Sequence, residues 1–402
     1  MTSGEWRVKR RNVVRDTGFV IREAKPRIQN PEPRRPMRFL GATVTAGLIL
    51  AGVLWADGAW KQALPGFVFE FPRDHASHPD YKIEWWYYTG NVASNDGKRF
   101  GYQLTFFRIG VESQPKSPSR WAVRDLFMTH FAITDVSGKQ YRFAERMNRA
   151  GAGWAGADAS RYHVWNQDWE ARIDVDGKHQ LKASDRDMKL TLVLSEGKRP
   201  VIHGDRGISQ KGSADGNASH YYSLTRMPTR GTLSLGGATF AVEGESWMDH
   251  EFGTSFLEKE QTGWDWFSLQ LNDGSDLMLF QLRRSDGSLD RHSSGTWIGA
   301  NGESIPLGAG DFTLKPGETW QSKESGASYP VTWELEVPRQ DMRLRLGTEV
   351  ENQELRTERS TGVTYWEGAV EVQGTRRGRP VRGRGYLEMT GYAGPAISEK
   401  FR

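Results

Sequence analysis

The sequence contains no cysteine among its 402 residues. This excludes disulfide bonds, thiol nucleophiles, iron–sulfur clusters and every zinc site that uses a Cys ligand. A P-loop, an H-E-x-x-H zinc motif and a complete G-x-S-x-G nucleophile elbow are also missing, and the glycine-rich stretch Ala150–Ala159 is not followed by a segment with helical periodicity. Any chemistry must therefore depend on carboxylates, histidine and aromatic rings.

The nine histidines are dispersed along the chain. We therefore expect no metal and no cofactor. The alternative is a metal site assembled from distant histidines and the carboxylates of residues 249–251.

An excess of basic over acidic residues is missing outside the beginning of the chain, although the formal net charge is +4. Residues 1–40 hold eleven Lys/Arg and four Asp/Glu, whereas the remaining residues hold 43 Lys/Arg and 46 Asp/Glu. The body of the protein is thus close to neutral. Because a nucleic-acid-binding body normally carries a basic face, we expect no nucleic-acid partner.

Long apolar runs are rare, and only Phe39–Ala56 has 18 residues without a charge. Arginines precede this run and Asp57 follows it. Its length suits a bilayer-spanning helix, and the charge asymmetry predicts that residues 57–402 lie outside the cytoplasm. We therefore expect an exported, periplasmic protein.

Two interpretations of this segment remain open. In the first, residues 1–36 form a basic cytoplasmic tail, and residues 37–58 anchor the protein in the inner membrane through the uncleaved apolar run. In the second, Met37 is the true start, and residues 37–58 are a cleavable signal peptide. Both interpretations place the body outside the cytoplasm.

Helical periodicity of useful length is missing from the body, where apolar and polar residues alternate with period two. Asn95-Asp96-Gly97 and Asn272-Asp273-Gly274 are strong hairpin signals between such stretches. Short strands at regular spacing predict an all-β sandwich or barrel architecture. We expect two domains, residues 59–252 and residues 253–402, and a glycine-rich loop at Ala150–Ala159.

An acidic strand is the densest group of candidate catalytic residues. In the extended stretch Glu243–Glu251, the side chains of Glu245, Trp247 and Asp249 project to one face and His250 projects to the other. If the acidic face points into a barrel, burial and crowding of like charges would raise the pKa of a carboxyl group, as a general acid requires. The alternative is a solvated acidic face at a domain edge.

Aromatic residues flank further acids. Asp265 shares its strand face with apolar residues, which indicates either a catalytic acid or a buried acid paired for structural reasons. Both faces of the stretch Tyr81–Gly90 are aromatic, so that stretch is either core or the wall of a ligand cavity. The predicted ligand-binding residues are Trp247, Trp264, Trp266, Glu84, Trp86, Tyr88 and Tyr386.

Several motifs together resemble the AttH / carotenoid 1,2-hydratase (lipocalin-like) family. They run from about His78 to Tyr392 and read HPDYKIEWWYYTGNV, YQLTFFRIG, MTHFAITDV, HYYSLTRM, GESWMDHEFG, GWDWFSLQL and GYLEMTGY. The resemblance implies an all-β protein in which two lipocalin- or calycin-like domains pack together after one N-terminal hydrophobic helix. A hydrophobic ligand site would lie inside or between the domains.

The same resemblance implies two functions. One is an enzyme that hydrates or hydrolyses a lipid- or isoprenoid-like substrate, with Asp249 or Asp265 as the acid and His250 orienting water or passing on the proton. Aromatic rings would stabilise the cation that protonation of an alkene creates. The other is a non-catalytic lipid carrier or a periplasmic accessory of an ABC exporter.

Overall fold

The computed structural model describes residues 60–114, 116–254 and 257–394. This part of the chain is all-β and contains no α-helix, only 3-10 turns at Arg73–His75 and Pro338–Gln340. No helix among these residues is long and apolar enough to cross a membrane. The predicted N-terminal hydrophobic helix lies outside the described residues and stays a prediction.

Thirteen of the described strands form the first sheet, in the order β4-β3-β2-β1-β13-β12-β9-β8-β7-β6-β5, while β10 and β11 pair with β12. The paired neighbours are antiparallel. The strands are β1 (Ile83–Ser94), β2 (Arg99–Gly110), β3 (Asp125–Asp135), β4 (Gln140–Arg149), β5 (Ala155–Ala157), β6 (His163–Asn166), β7 (Trp169–Ile173), β8 (His179–Asp185), β9 (Met188–Leu194), β10 (Val201–Ile202), β11 (Ile208–Gln210), β12 (Ala218–Leu235) and β13 (Ala238–Gly253).

The two ends of the first sheet approach each other, so that the sheet is a nearly closed barrel. Asn166 on β6 connects them, because its side-chain amide donates to the Thr129 hydroxyl at 3.0 Å and to the Phe127 carbonyl at 3.3 Å. The amide of Asn148 on β4 donates to Asn166 Oδ1 at 2.7 Å. Asn166 is fully buried, so these bonds hold a seam that lacks ladder pairing.

Ten further strands form the second sheet, in the order β17-β16-β15-β14-β25-β24-β22-β21-β18 with β23 beside β24, and β19 pairs with β20 separately. The strands are β14 (Gln261–Leu271), β15 (Asp276–Arg284), β16 (Ser294–Ile298), β17 (Ser304–Gly308), β18 (Thr313–Pro316), β19 (Thr319–Gln321), β20 (Ser328–Pro330), β21 (Thr332–Val337), β22 (Met342–Gly347), β23 (Glu354–Arg356), β24 (Thr364–Arg376) and β25 (Arg379–Met389).

The outer face of the barrel packs against one face of the second sheet. Gly101 on β2 makes a close approach possible, because a Cβ atom there would lie 2.7 Å from the Cβ atom of Ala369 on β24. The Asn91 amide donates to the Gly385 carbonyl at 3.1 Å across the same boundary. Each sheet has its own apolar core, and a third apolar cluster lies between them.

The structure corrects one expectation and leaves another as a prediction. Within the predicted loop Ala150–Ala159, residues Ala155–Ala157 form β5, because small side chains pack against β6 at the barrel seam. The strands of the first sheet end at Gly253 and those of the second begin at Gln261. The predicted division into domains at residues 252 and 253 stays a prediction.

Candidate functional site

A cavity of about 210 Å³ lies between the barrel and the second sheet. Its walls are mainly apolar and aromatic, with Trp85 and Tyr87 from β1, Trp264 and Trp266 from β14, and Phe280 from β15. These residues face each other because β1 and β14 occupy the surfaces on which the two sheets meet. The cavity is suited to a hydrophobic small molecule.

Asp249 on β13 lies in the wall of this cavity and is almost fully buried. Its Oδ2 atom accepts a hydrogen bond from the Tyr221 hydroxyl at 2.6 Å. Its Oδ1 atom accepts from the Trp247 indole N–H at 2.6 Å and from the Ser223 hydroxyl. Burial raises the pKa of Asp249 to about 7, although these three neutral donors act in the opposite direction.

A second carboxyl group of the same cavity belongs to Glu388 on β25, which pairs with Trp266 in the sheet. Burial and the negative charges of Asp249 and Glu251 raise the pKa of Glu388 to about 7, and the Trp264 indole acts against them. The cavity therefore holds two acids that can carry a proton near neutral pH.

A polar chain that the sequence analysis missed reaches the cavity from another wall. The Tyr365 hydroxyl lies 2.6 Å from His130 Nδ1, and His130 Nε2 lies 2.9 Å from the Ser360 hydroxyl. Ser360 donates to Glu145 Oε2 at 2.5 Å. Tyr365 and His130 line the cavity, whereas Glu145 is half-buried at the surface. The motif MTHFAITDV contains His130, but the sequence does not indicate its partners on β24 and β4.

The predicted partners Asp249 and His250 lie on opposite faces of β13, as the alternation of a strand requires. His250 points into the barrel, where its ring stacks on Trp86 with 5.1 Å between centroids. His250 Nε2 lies 2.9 Å from Glu84 Oε1, and burial lowers the pKa of His250 to about 4. The structure therefore separates His250 from the cavity that holds Asp249.

Glu84 is the centre of this interior group and is fully buried. The Arg108 guanidinium binds Glu84 Oε2 at 3.1 Å, and the hydroxyl of Ser77 donates to the same oxygen at 2.8 Å. The His78 backbone N–H donates to Glu84 Oε1 at 2.8 Å. Hydrogen bonds from the histidines and the charge of Arg108 outweigh burial and keep the pKa of Glu84 well below its usual value.

His78, Glu84 and His250 are close enough to share a metal ion, with their ligand atoms within 4.8 Å of one another. The Arg108 guanidinium already neutralises the same carboxylate. A divalent cation there would stand beside this positive charge, so the side chains fit an ion-pair network better than a metal site.

The other predicted site residues are divided between the two faces of the sheets. Asp265 lies on the face of β14 opposite the cavity, where Arg283 Nε binds it at 3.2 Å and Tyr392 donates to it at 3.0 Å. Burial raises the pKa of Asp265, and Arg283 opposes the shift. Glu245 is half-buried on the same face of β13 as Asp249, and burial raises its pKa.

Of the predicted ligand-binding residues, Trp264 and Trp266 line the cavity. The Trp247 indole donates a hydrogen bond to Asp249. Tyr386 is buried together with Trp247 in the apolar cluster between the sheets. Tyr88 lies inside the barrel instead, and its hydroxyl is 2.6 Å from that of Tyr162.

Comparison with known proteins agrees with this architecture. The AttH-like family model matches residues 62–392, so the chain belongs to the AttH-like family. A crystal structure of a putative AttH from Nitrosomonas europaea is 33% identical, with a TM-score of 0.76, and the match covers 83% of this chain and 100% of that one.

Two curated fungal proteins are more distant relatives. Dehydratase asqC of Emericella nidulans is 22% identical over 52% of this chain, and kievitone hydratase of Fusarium solani subsp. phaseoli is 23% identical over 52%. The matches span 60% and 58% of those two proteins. Their names describe a dehydratase and a hydratase.

Proposed function

We propose that this protein is an enzyme that adds water to a carbon–carbon double bond of a hydrophobic substrate, or removes it in the reverse direction, in the cavity between the sheets. Asp249 is the proton donor. The observation that carries this proposal is a carboxyl group buried in an aromatic cavity whose pKa, about 7, lets it hold a proton at neutral pH.

The reaction follows from the surroundings of Asp249. Transfer of its proton to an alkene carbon creates a carbocation, and the faces of Trp264 and Trp266 supply electron density beside it. The hydroxyls of Tyr221 and Ser223 then stabilise the carboxylate that remains. Water attacks the cation and forms the new carbon–oxygen bond. The dehydratase and hydratase among the relatives support this class of reaction.

The lining supports a lipid- or isoprenoid-like substrate, because most of the cavity wall is apolar. The charge asymmetry around Phe39–Ala56 supports a site of action outside the cytoplasm, with that segment as the contact to the membrane if it is not cleaved. ABC exporter components are the protein partners that fit such a location. These assignments of substrate and location are part of the proposal.

The test begins with the lipid that copurifies with the full chain, identified by mass spectrometry. This lipid and a set of isoprenoid alkenes are then incubated with the protein in water labelled with heavy oxygen. We expect the product to gain one labelled water, and Asp249→Asn to lower kcat by about 100-fold or more. Asp265→Asn is the matched comparison, since it changes a buried aspartate on the other face of β14 and should retain turnover.

Two results would contradict the proposal. If the wild-type protein binds the lipid without converting it, and Asp249→Asn binds it equally well, the protein is a carrier. If Asp265→Asn rather than Asp249→Asn stops turnover, the chemistry takes place outside the cavity.

A further inference from the structure

The cavity needs a group that removes a proton from the attacking water, and the polar chain from Tyr365 to the surface has the geometry for it. We propose that Tyr365 is a catalytic residue and that His130, Ser360 and Glu145 form, with it, a relay that carries this proton to solvent. The inference rests on the proposed function, and it adds the group that accepts a proton from the attacking water. It depends on three consecutive contacts of 2.6, 2.9 and 2.5 Å.

The direction of the relay follows from counting hydrogens. Ser360 has one hydroxyl hydrogen, and it is donated to Glu145. The Ser360 oxygen must therefore accept from His130, which places the imidazole proton on Nε2. His130 Nδ1 is then an acceptor, and the Tyr365 hydroxyl donates to it. Every hydrogen of the chain thus points from the cavity toward the surface.

The proposed step balances without any further reactant. Asp249 transfers its proton to one alkene carbon, and the water oxygen forms a bond to the other. One proton leaves the water for Tyr365 Oη, while the Tyr365 hydroxyl proton moves to His130 Nδ1. The Nε2 proton of His130 moves to Ser360, and the Ser360 proton moves to Glu145. Dehydration reverses each transfer.

The surroundings of His130 suit this role. The imidazole is almost fully buried, and burial lowers the pKa of His130 to about 3, so the ring is neutral and free to accept. The oxygen of newly added water carries a positive charge and is a much stronger acid than an imidazolium, so a weak base is sufficient. The carboxyl groups near Tyr365 belong to Glu367, Glu388 and Glu145. Burial raises the pKa of Glu367 well above its usual value and that of Glu388 to about 7, so both can hold a proton near neutral pH, whereas Glu145 is the final acceptor at the surface end of the relay.

Glu388 is a competing acceptor, because it lies in the same cavity with a pKa near neutrality, whereas Glu251 in the cavity wall is already paired with Lys211 at 3.2 Å. The relay differs from it in two respects. The relay connects the cavity with a half-buried carboxylate at the surface, and it includes the loop between β23 and β24, where the Arg359 backbone N–H also donates to Glu145 at 3.1 Å. The experiment compares both acceptors directly.

The kinetic test uses the alkene that the wild-type protein hydrates. Tyr365→Phe keeps the ring but removes the relay hydroxyl, so kcat should fall by about 100-fold or more with KM nearly unchanged. Ser360→Ala should also lower kcat, and Ser360→Thr should restore it by returning a hydroxyl. The control is Tyr162→Phe, which removes a buried hydroxyl inside the barrel. A larger loss in Glu388→Gln than in Tyr365→Phe, with removal of the basic limb of the pH profile, would overturn the relay.

The second measurement does not depend on turnover. Nitrogen NMR of the full chain with labelled histidine should show His130 protonated on Nε2 and accepting at Nδ1, and Ser360→Ala should disturb this tautomer. A proton on Nδ1 would overturn the relay even if the wild-type protein is active. Absence of turnover in the wild-type protein would instead overturn the proposed function, and with it the catalytic role of Tyr365.

Discussion

Glu84 and Asp249 are both buried carboxyl groups on the paired strands β1 and β13, yet their pKa values move in opposite directions. Glu84 faces the barrel interior, where hydrogen bonds from His250 and His78 and the charge of the Arg108 guanidinium hold its pKa well below the usual value. Asp249 faces the cavity, has only neutral donors and has a pKa of about 7.

The comparison shows that burial alone does not create an acid. Both carboxyl groups lose water, and both accept several hydrogen bonds. The difference lies in their partners. Glu84 accepts hydrogen bonds from His250 and His78 and has the Arg108 cation beside it, whereas Asp249 accepts only from hydroxyl and indole donors. Glu84 therefore stays ionised and has a structural role, whereas Asp249 can exchange its proton.

The largest expected effect concerns the structural side of this comparison. Arg108→Met leaves the carboxylates of Glu84 and Asp125 buried without their guanidinium, so the free energy of unfolding should fall by about 3–5 kcal/mol. Denaturant unfolding at neutral pH measures it. The control is Arg343→Met, which removes an exposed ion pair with Glu336 and should cost less than about 1 kcal/mol. Equal losses in the two variants would contradict the structural role.

A second prediction concerns pH and compares the wild-type protein with Asp249→Asn. The pKa of Asp249 is about 7 in the folded state and about 3.9 in the unfolded state, so its ionisation costs stability as pH rises from about 4 to about 7. The cost reaches on the order of 4 kcal/mol. Asp249→Asn lacks this cost. Its free energy of unfolding should therefore rise relative to that of the wild-type protein as the pH increases through this range.

Denaturant unfolding at several pH values measures this difference. Contributions of groups that do not interact with Asp249 cancel, whereas Glu388 loses the neighbouring charge that helps to raise its pKa. Glu84 contributes no pH dependence of stability between pH 5 and 7. Because its pKa is lowered in the folded state, its contribution to stability is lost only at acid pH, as the pH falls through the folded pKa. A difference between wild type and variant that does not change with pH would show that Asp249 is ionised in the fold.

Much of the fold could be predicted from local patterns. Asn95-Asp96-Gly97 lies in the turn between β1 and β2, where Gly97 has φ of +83°, a conformation that favours glycine. Alternation also placed Asp249 and Trp247 on one face of β13, because the side-chain period of a strand is fixed. These features depend on residues close together in sequence.

The site could be predicted only in part because its walls come from distant segments. The sequence gives no sign that Asp265 on β14 faces away from the cavity while Trp264 and Trp266 face it, since that depends on which side of the second sheet packs on the barrel. Tyr365 and His130 meet across 235 residues. Their contact exists only after both sheets have formed, so no local pattern indicates it.

A smaller effect is expected at the barrel seam. Asn166→Ala removes the amide that bonds the Thr129 hydroxyl, the Phe127 carbonyl and the Asn148 amide, and leaves buried polar groups unpaired. The free energy of unfolding should fall by about 1–3 kcal/mol, with turnover unchanged at temperatures where the protein is folded. A loss of turnover in the folded variant would mean that the barrel interior takes part in the chemistry.

The smallest effect tests how finely the donors of Asp249 set its acidity. The Trp266 indole N–H donates to the Tyr221 hydroxyl at 3.1 Å, and Tyr221 donates to Asp249 at 2.6 Å. Trp266→Phe removes the first bond, which makes the Tyr221 hydroxyl a weaker donor and should raise the pKa of Asp249 further. The expected shift corresponds to a fraction of the roughly 1 kcal/mol that a neutral hydrogen bond contributes, because the bond that is removed is one step away from the carboxylate.

The shift is measured from the pH dependence of the free energy of unfolding, with Asp249→Asn as the reference. In Trp266→Phe, the loss of stability that accompanies ionisation of Asp249 should end at a higher pH than in the wild-type protein. Trp333→Phe is the control, since it changes a buried tryptophan in the core of the second sheet. If Trp266→Phe instead lowers the pKa, water has entered the cavity beside Asp249. Solvation, and not the chain of neutral donors, would then be the main difference between Asp249 and Glu84.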